Sequence, residues 1–212
     1  MHQFDLLPFP PGTTYSQNGS PAATDGQEHE GKMFWVEDLD YTLSPFKPRA
    51  YAGSPAGEGS YRLLRVVRNT SGIALQPGRL GTMDLSKYGR AINGYATTTG
   101  AEAFPIDEFI PYNVPANDLF YIVLSGTASI YSGLDGASAN GLANASTTEI
   151  VVMALTAATS QATTAGRIAA QDLTGATAVL GNNIQNRIGV CLSARTTNQT
   201  NTLTLCYIYN DW

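Results

Sequence analysis

The uneven distribution of proline and glycine is the feature that most restricts how this chain can fold. Seven of its eleven prolines lie between Pro8 and Pro55, interleaved with glycines. Proline removes a backbone hydrogen-bond donor and glycine raises the entropic cost of ordering the chain, so a long helix or a central strand is disfavoured there. We therefore predict an extended N-terminal arm at residues 1–60, followed by a β-rich body at residues 61–212.

The arm is too apolar to lie in solvent by itself. Disordered segments contain few aromatic and aliphatic residues, whereas this arm has one apolar cluster from Phe4 to Phe9 and another from Met33 to Val36. These side chains need a surface to cover, and a neighbouring subunit is one source of it. The arm residues that we predict to bind a partner are Phe4, Leu6, Leu7, Phe9, Phe34 and Trp35.

The chain carries little charge, and this limits its functions. Charged residues make up 14% of its 212 residues and the formal net charge is −5, whereas about 25% charged residues is usual in soluble proteins. Residues 91–166 contain no lysine or arginine. Nucleic-acid binding needs clustered cations and is therefore disfavoured, while the low charge suits a chain that packs against neighbours.

Catalytic and targeting signals are weak. The only histidines, His2 and His29, lie in the arm, which excludes Ser-His-Asp and Cys-His centres from the body and disfavours a histidine metal site. The sequence suggests no cofactor. The N-terminus lacks the pattern of a secretory signal and no stretch reaches transmembrane length, so we expect synthesis in the cytosol and no membrane partner.

Two groups of clustered carboxylates suggest one enzymatic hypothesis, a hydrolase. Asp107 and Glu108 are adjacent, and Glu37, Asp38 and Asp40 form a second acidic group. Such groups can perform acid–base chemistry or bind calcium, but neighbouring acids on loops are usually only solvated. We therefore predict that the protein is not an enzyme.

Turn signals at intervals of about ten residues divide the body into short strands, which is typical of a sandwich or barrel. Residues 119–130 (LFYIVLSGTASI) form a predicted buried strand, and its continuous apolar run indicates burial on both faces. Prolines at 105, 111 and 115 make residues 103–118 mostly loop, with at most an edge strand. The other predicted strands are 61–69, which forms a hairpin with 73–75, and 80–85, 89–97, 149–155 and 166–170.

These patterns predict an all-β protein with a β-sandwich or β-barrel-like, tulip-like body. Residues 131–148 form a predicted loop that could divide the body into two small β subdomains. A helix through residues 154–166 is the competing interpretation, although its threonines weaken it.

The last residues predict a hairpin between 187–195 and 202–209. Pairing centred between Asn198 and Gln199 places Cys191 opposite Cys206. In this register we expect the core face to carry Ile188, Val190, Leu192, Ala194, Leu203, Leu205, Tyr207 and Tyr209, with the cysteines on the other face. The cysteines are expected to be reduced in a cytosolic chain.

Arg62, Arg65 and Arg68 recur at three-residue intervals in a predicted strand, which sends them to alternating faces. One hypothesis is that they bind carboxylates of neighbouring subunits, because guanidinium groups bind carboxylates in a bidentate way. The alternative is ordinary surface charge.

Aromatic residues give a second hypothesis for function, a carbohydrate-binding surface module that recognises host glycans. Tyrosine and tryptophan stack on sugars, but they are also common in cores and interfaces. The residues considered for this platform are Phe120, Tyr121, Tyr207, Tyr209 and Trp212.

Several short segments together resemble the decoration, or cement, proteins of tailed bacteriophage capsids. The segments are Gly31–Asp40 (GKMFWVEDLD), Tyr61–Asn69 (YRLLRVVRN), Ser71–Leu75, Pro77–Arg79, Gly89–Arg90, Asn117–Phe120, Thr164–Ile168 and Asn186–Gly189. The resemblance covers most of the chain from Gly31 onward.

The resemblance implies a β-rich structural protein, often a homotrimer, on the outer surface of the virion. Such proteins bind the expanded head after assembly in the host cytoplasm and clamp neighbouring copies of the major capsid protein against the pressure of packaged DNA. In this interpretation, the apolar residues of the arm and the three arginines contact the capsid or a sister subunit.

Overall fold

The computed structural model describes residues 7–40, 43–45, 47–49, 61–96, 102–132, 150–154, 166–170, 187–192 and 202–209. Regular structure in these residues consists of strands and of two short 3-10 turns, at Gln27–His29 and Leu85–Lys87. The prediction of an all-β protein with a barrel-like body is confirmed.

Ten of the twelve described strands belong to one continuous sheet, and β2 and β3 form a small ladder of their own. The strands are β1 (Met33–Glu37), β2 (Leu39–Asp40), β3 (Lys47–Pro48), β4 (Tyr61–Asn69), β5 (Leu80–Met83), β6 (Ala91–Tyr95), β7 (Ala103–Pro105), β8 (Leu119–Ser132), β9 (Ile150–Ala154), β10 (Ile168–Ala170), β11 (Arg187–Cys191) and β12 (Thr202–Ile208).

The long strand β8 is shared by two barrel-like closures. Residues 119–125 pair with β4, and the sheet continues through β6, β5 and β7 until Ile106 bridges back to Ile122 of β8. Residues 126–132 pair with β12, and the sheet continues through β11, β9 and β10 until Ile168 pairs with the last residue of β8. We call these closures the first barrel and the second barrel.

Both faces of β8 are buried, as the unbroken apolar run predicted. Phe120 and Ile122 lie in the core of the first barrel. Leu119 and Tyr121 belong to a second core cluster, which is shared with the N-terminal segment and the interior of the second barrel. A strand with cover on both faces has no solvent side, and this explains why its sequence does not alternate.

Gly126 lies where β8 passes from one barrel to the other. Its φ is 98°, and a Cβ there would lie 2.6 Å from the carbonyl oxygen of Tyr61 and 3.0 Å from the Cα of Arg62. The register with β4 shifts just before this glycine. Positive φ and close backbone approach both require glycine, so this residue allows one strand to serve two barrels.

The strands predicted at 80–85, 89–97, 149–155 and 166–170 are confirmed as β5, β6, β9 and β10. The short strand β7 is the one expected within the proline-rich stretch. Most of the predicted loop at 131–148 and of the alternative helix at 154–166 lies outside the described residues. The division into two subdomains stays a prediction, and the partners of β8 change earlier, between Ser125 and Gly126.

The predicted hairpin between β4 and residues 73–75 is wrong. Leu75 bridges Val114 instead, and β4 pairs with β8 along one edge and with β1 and β6 along the other. The side-chain Nδ2 of Asn69 donates hydrogen bonds to the carbonyl oxygens of Ile73, Val114 and Pro115. These bonds hold the turn against the 114–115 segment and direct the chain away from β4.

The C-terminal hairpin has the predicted register, and Ile188 is buried as predicted, but Leu203 and Tyr207 of the predicted core face are exposed. Cys191 pairs with Cys206 and Val190 pairs with Tyr207. Both cysteines are buried, however, whereas Tyr207 is exposed. Among the described residues the second barrel contains five strands, and its interior holds Ile188 and Cys191 of β11 together with Cys206 and Ile208 of β12.

The N-terminal segment from residue 7 to residue 32 lies on its own body. The Tyr15 amide donates to the Leu119 carbonyl at 2.9 Å, and the Gly31 amide donates to the Val66 carbonyl at 2.8 Å. The segment then continues into β1, which pairs antiparallel with β4. Within the described residues, the surface that the arm covers therefore belongs to the same chain.

Candidate functional site

A buried ion network joins the two acidic groups that the sequence analysis singled out. Arg62 is fully buried on β4, and its Nη2 lies 3.3 Å from Oδ1 of Asp107 and 3.0 Å from Oε2 of Glu108. The backbone amide of Gly12, in the N-terminal segment, donates to Oδ2 of Asp107 at 2.9 Å. The network therefore connects the arm, β4 and the loop after β7.

Arg49 joins the second acidic group to the same network. Its Nη2 lies 2.5 Å from Oε1 of Glu108, and its Nε lies 3.4 Å from Oδ1 of Asp38. The Thr127 hydroxyl donates to the other oxygen of Asp38, and the Ser129 amide donates to Glu108 at 3.1 Å. Three carboxylates and two guanidinium groups thus meet beside the second half of β8.

The environment moves the pKa values of Asp107 and Glu108 in opposite directions. Burial raises the pKa of Asp107, although Arg62 opposes the change. Burial also acts to raise the pKa of Glu108, but Arg62 and Arg49 outweigh it and the net pKa is lowered. Divergent pKa values in a carboxylate pair are a feature of acid–base sites, but Asp107 is fully buried and cannot meet a substrate in this conformation.

Arg68 fastens the N-terminal segment at a second point. Its guanidinium donates to Glu30 at 2.5 Å, to the Asp25 carbonyl at 2.6 Å and to the Asn117 carbonyl at 2.5 Å. Asp118 performs the complementary role, because its carboxylate accepts hydrogen bonds from the amide and hydroxyl of Ser16. The arm is therefore held by directional polar contacts in addition to its apolar side chains.

The hypothesis that the three arginines bind carboxylates of neighbouring subunits needs correction for two of them. Arg62 and Arg68 are buried and bind carboxylates of their own chain. Arg65 is half-buried, and its guanidinium donates to the Tyr88 carbonyl at 3.4 Å. Burial and the neighbouring Arg90 lower the pKa of Arg65.

The sequence contained a signal for this outcome. Arg62 and Arg68 lie in phase with the buried residues Leu64 and Val66, so period-two alternation places them on an apolar face. An arginine in that position needs a carboxylate partner within the fold. Nothing in the sequence pointed to Arg49, which lies in the proline-rich segment.

The arm residues predicted to contact a partner differ in their burial. Phe9 is buried in its own chain, with its ring centroid 4.4 Å from that of Tyr121, and the Tyr121 hydroxyl donates to the Phe9 carbonyl. Leu7 and Phe34 are partly buried against the same core. Phe4 and Leu6 lie outside the described residues. Of the predicted set, Trp35 is the described residue with a largely exposed side chain.

Trp35 belongs to an exposed apolar strip on an edge strand. Its side chain is 49% exposed, Met33 is 58% exposed, and Tyr61 on the adjacent β4 is 60% exposed. The alternate residues of β1, Phe34 and Val36, face the core. We call Met33, Trp35 and Tyr61 the β1 strip. Among the described strands, β1 pairs with β4 alone, along one of its two edges.

The aromatic platform considered for glycans is not assembled. Phe120 and Tyr121 are fully buried on β8 and cannot stack on a sugar. Tyr207 is exposed and Tyr209 is half-buried. Trp212 lies outside the described residues.

Comparison with known proteins does not assign the chain to a family. No protein-family model matches the sequence, and no curated protein matches it. None of the helical turns in the described part of the chain is long and apolar enough to cross a membrane. Within the same residues, histidine, cysteine, aspartate and glutamate side chains form no group of three or more arranged to hold a metal ion.

Proposed function

We propose that this chain is a capsid decoration protein, which binds the outer surface of an expanded phage head and clamps neighbouring copies of the major capsid protein. The β1 strip is the observation that carries the proposal. Large exposed apolar groups on an unpaired strand edge are typical of surfaces that bind another protein.

The strip offers two kinds of contact. The outer edge of β1 can accept an extended segment of the capsid protein as an additional strand, with affinity from backbone hydrogen bonds. Trp35 and Tyr61 supply large, rigid side chains, and such aromatic residues are common among those that dominate binding energy. Repetition of this contact over many equivalent capsid positions would add avidity.

The fastening of the arm suits this role. Hydrogen bonds from Arg68 and to Asp118, together with the buried ring of Phe9, hold the segment that leads into β1. A strip that is ordered before binding loses less conformational entropy on the capsid than a disordered tail would lose. We therefore propose β1 as the gripping element, in place of the Phe4–Phe9 cluster.

The partners proposed for the chain are the major capsid protein and other copies of itself, as a homotrimer at threefold positions of the shell. The trimer and the location on the virion surface follow from the resemblance to decoration proteins. Sedimentation of the purified chain measures its oligomeric state directly.

The test is binding of purified protein to expanded, undecorated heads of the phage that encodes it. We expect wild type to co-sediment with heads and Trp35→Ala to bind about tenfold or more weakly, because exposed tryptophans often dominate interfaces. Ile73→Ala is the matched control, since Ile73 is 53% exposed but lies beyond the far end of β4.

Thermal unfolding of each variant establishes that it is folded. Failure of wild type to bind heads would exclude a decoration role. Equal binding by wild type and Trp35→Ala would instead remove the β1 strip from the proposal and leave the capsid role to another surface.

A further inference from the structure

The two cysteines of the chain face each other inside the second barrel. Cys191 of β11 lies directly opposite Cys206 of β12, and both side chains are buried thiols. They are 15 positions apart in sequence, since 206 − 191 = 15. The hairpin register places the two cysteines opposite each other, and closure of the barrel buries the strand face on which both lie.

The hydrogen bonds of the ladder define the geometry of the pair. The Leu192 amide donates to the Leu205 carbonyl at 2.9 Å, and the Tyr209 amide donates to the Ile188 carbonyl at 3.2 Å. Hydrogen-bonded pairs alternate with non-hydrogen-bonded pairs along an antiparallel ladder. Cys191 and Cys206 therefore form a non-hydrogen-bonded pair, in which the side chains approach most closely.

That pair type is compatible with a disulfide. The Cα atoms of a non-hydrogen-bonded pair are typically about 4.5 Å apart, and disulfides span Cα separations from about 4.4 to 6.8 Å. The typical separation of this pair type lies at the short end of the disulfide range.

We propose that Cys191 and Cys206 form a reversible disulfide, which we call the redox latch, across the pairing of β11 with β12, which we call the seam. The oxidant is a small disulfide such as oxidised glutathione. One cysteine thiolate attacks it and releases one glutathione thiolate, which leaves a mixed disulfide on the protein. The second cysteine thiolate then attacks the protein sulfur, forms the Cys191–Cys206 bond and releases the second glutathione.

The two cysteines lose two electrons and two protons in total, and one oxidised glutathione becomes two reduced glutathiones. Because both sulfurs are buried, exchange proceeds through transient opening of the hairpin and is slower than for exposed thiols. The latch is thus open in a reducing cytosol and closes slowly in an oxidising medium.

Closure would stabilise the second barrel. β11 pairs with β9 on one side and β12 on the other, and β12 pairs with β8. A covalent bond between β11 and β12 restricts the unfolded chain and prevents separation of the seam. The inference does not depend on the proposed capsid role, because it uses only the geometry of the hairpin.

The experiment incubates the reduced, full-length protein in glutathione buffers of increasing oxidising strength. Intact mass, thiol titration after denaturation and peptide mapping without reductant then follow the bridge. We expect a loss of two hydrogens per chain, a crosslinked peptide that contains both cysteines, and a rise in Tm of several degrees that dithiothreitol reverses.

Cys191→Ser/Cys206→Ser is the control, and its Tm should not respond to oxidant. If that variant does not fold, mass and peptide mapping of the wild type still decide the question. Persistence of both thiols in folded wild type under oxidising buffer would overturn the proposal. Exclusive formation of glutathione adducts or of disulfide-linked dimers would overturn it equally.

Discussion

Single side chains connect distant parts of this molecule, and Glu108 shows how. Its carboxylate forms ion pairs with both Arg62 and Arg49 and accepts a hydrogen bond from the backbone amide of Ser129. Those contacts bring together strand β4, the proline-rich segment before it and the second half of β8. A buried charge with several partners is costly to remove, because the remaining charges lose their compensation.

Glu108→Gln should therefore reduce the free energy of unfolding by about 3 kcal/mol, within the range for breaking buried ion pairs. Urea unfolding followed by fluorescence measures the change. Glu28→Gln is the matched control, because its side chain is 67% exposed beside His29, and it should alter stability by less than about 0.5 kcal/mol. Equal effects of the two substitutions would show that the network contributes little.

The pH dependence of that difference follows from the lowered pKa of Glu108. A carboxylate with a lowered pKa in the folded state stabilises the protein above its ordinary pKa of 4.5, and this contribution is lost as pH falls through the folded pKa. Asp107 acts in the opposite sense. Its pKa is raised because burial disfavours the charged carboxylate, so protonation in acid removes that destabilising free energy. The stability difference between wild type and Glu108→Gln should be constant near neutrality and shrink below about pH 4.5.

Urea unfolding of both proteins at a series of pH values from neutral to acid tests this expectation. A difference that remains constant or grows in acid would contradict the lowered pKa of Glu108.

At the scale of elements, β8 depends on one glycine. Gly126→Ala should destabilise the protein by about 2 kcal/mol or more, because positive φ is strained for alanine and its Cβ would lie 2.6 Å from a backbone oxygen. Gly94→Ala on β6 is the matched control: no atom lies within 4 Å of its added Cβ. Thermal and urea unfolding compare the two, and a tolerated Gly126→Ala would mean that β8 can cross between the barrels without positive φ.

The arm can be tested as an element that is packed on its own chain. Phe9→Ala should destabilise the packed arm by about 3 kcal/mol, the usual cost of removing a buried phenylalanine ring. The carbonyl of Lys32 accepts a hydrogen bond from Val66 in the folded protein, so release of the arm should accelerate tryptic cleavage after Lys32. Met33→Ala, at an exposed position, is the control and should leave the cleavage rate nearly unchanged.

Unchanged proteolysis of Phe9→Ala would show that the ring does not hold the arm. Acceleration in Phe9→Ala alone would support packing within the chain.

At the scale of the whole molecule, the two barrels share β8, whose two faces belong to separate core clusters, and the core that contains Leu119 and Tyr121 extends from the second barrel to the N-terminal segment. The arm contributes to that core through Phe9 and Val36 and leaves Met33 and Trp35 outside. This division follows the alternation of β1. The same apolar segment therefore covers its own body with one set of side chains and exposes the other set.

Much of the fold was accessible from local patterns. The positions of β5, β6, β8, β9 and β10 follow from turn residues and apolar runs, and the register of the C-terminal hairpin follows from its turn. The candidate site was less accessible, because Arg49, Asp38 and Glu108 are far apart in sequence. Their association depends on long-range packing that no spacing rule contains.

The sequence by itself determined that this chain is β-rich and that Cys191 pairs with Cys206, and it predicted that the first 60 residues form neither a long helix nor a central strand. Only the tertiary structure decided which hairpin face is buried, where Arg62 finds its carboxylates and what the described arm covers. The physical reason is that alternation of side chains defines two faces of a strand but does not decide which face is buried. Closure of the second barrel makes that choice: Thr204, Cys206 and Ile208 lie inside, and Leu203 and Tyr207 lie outside.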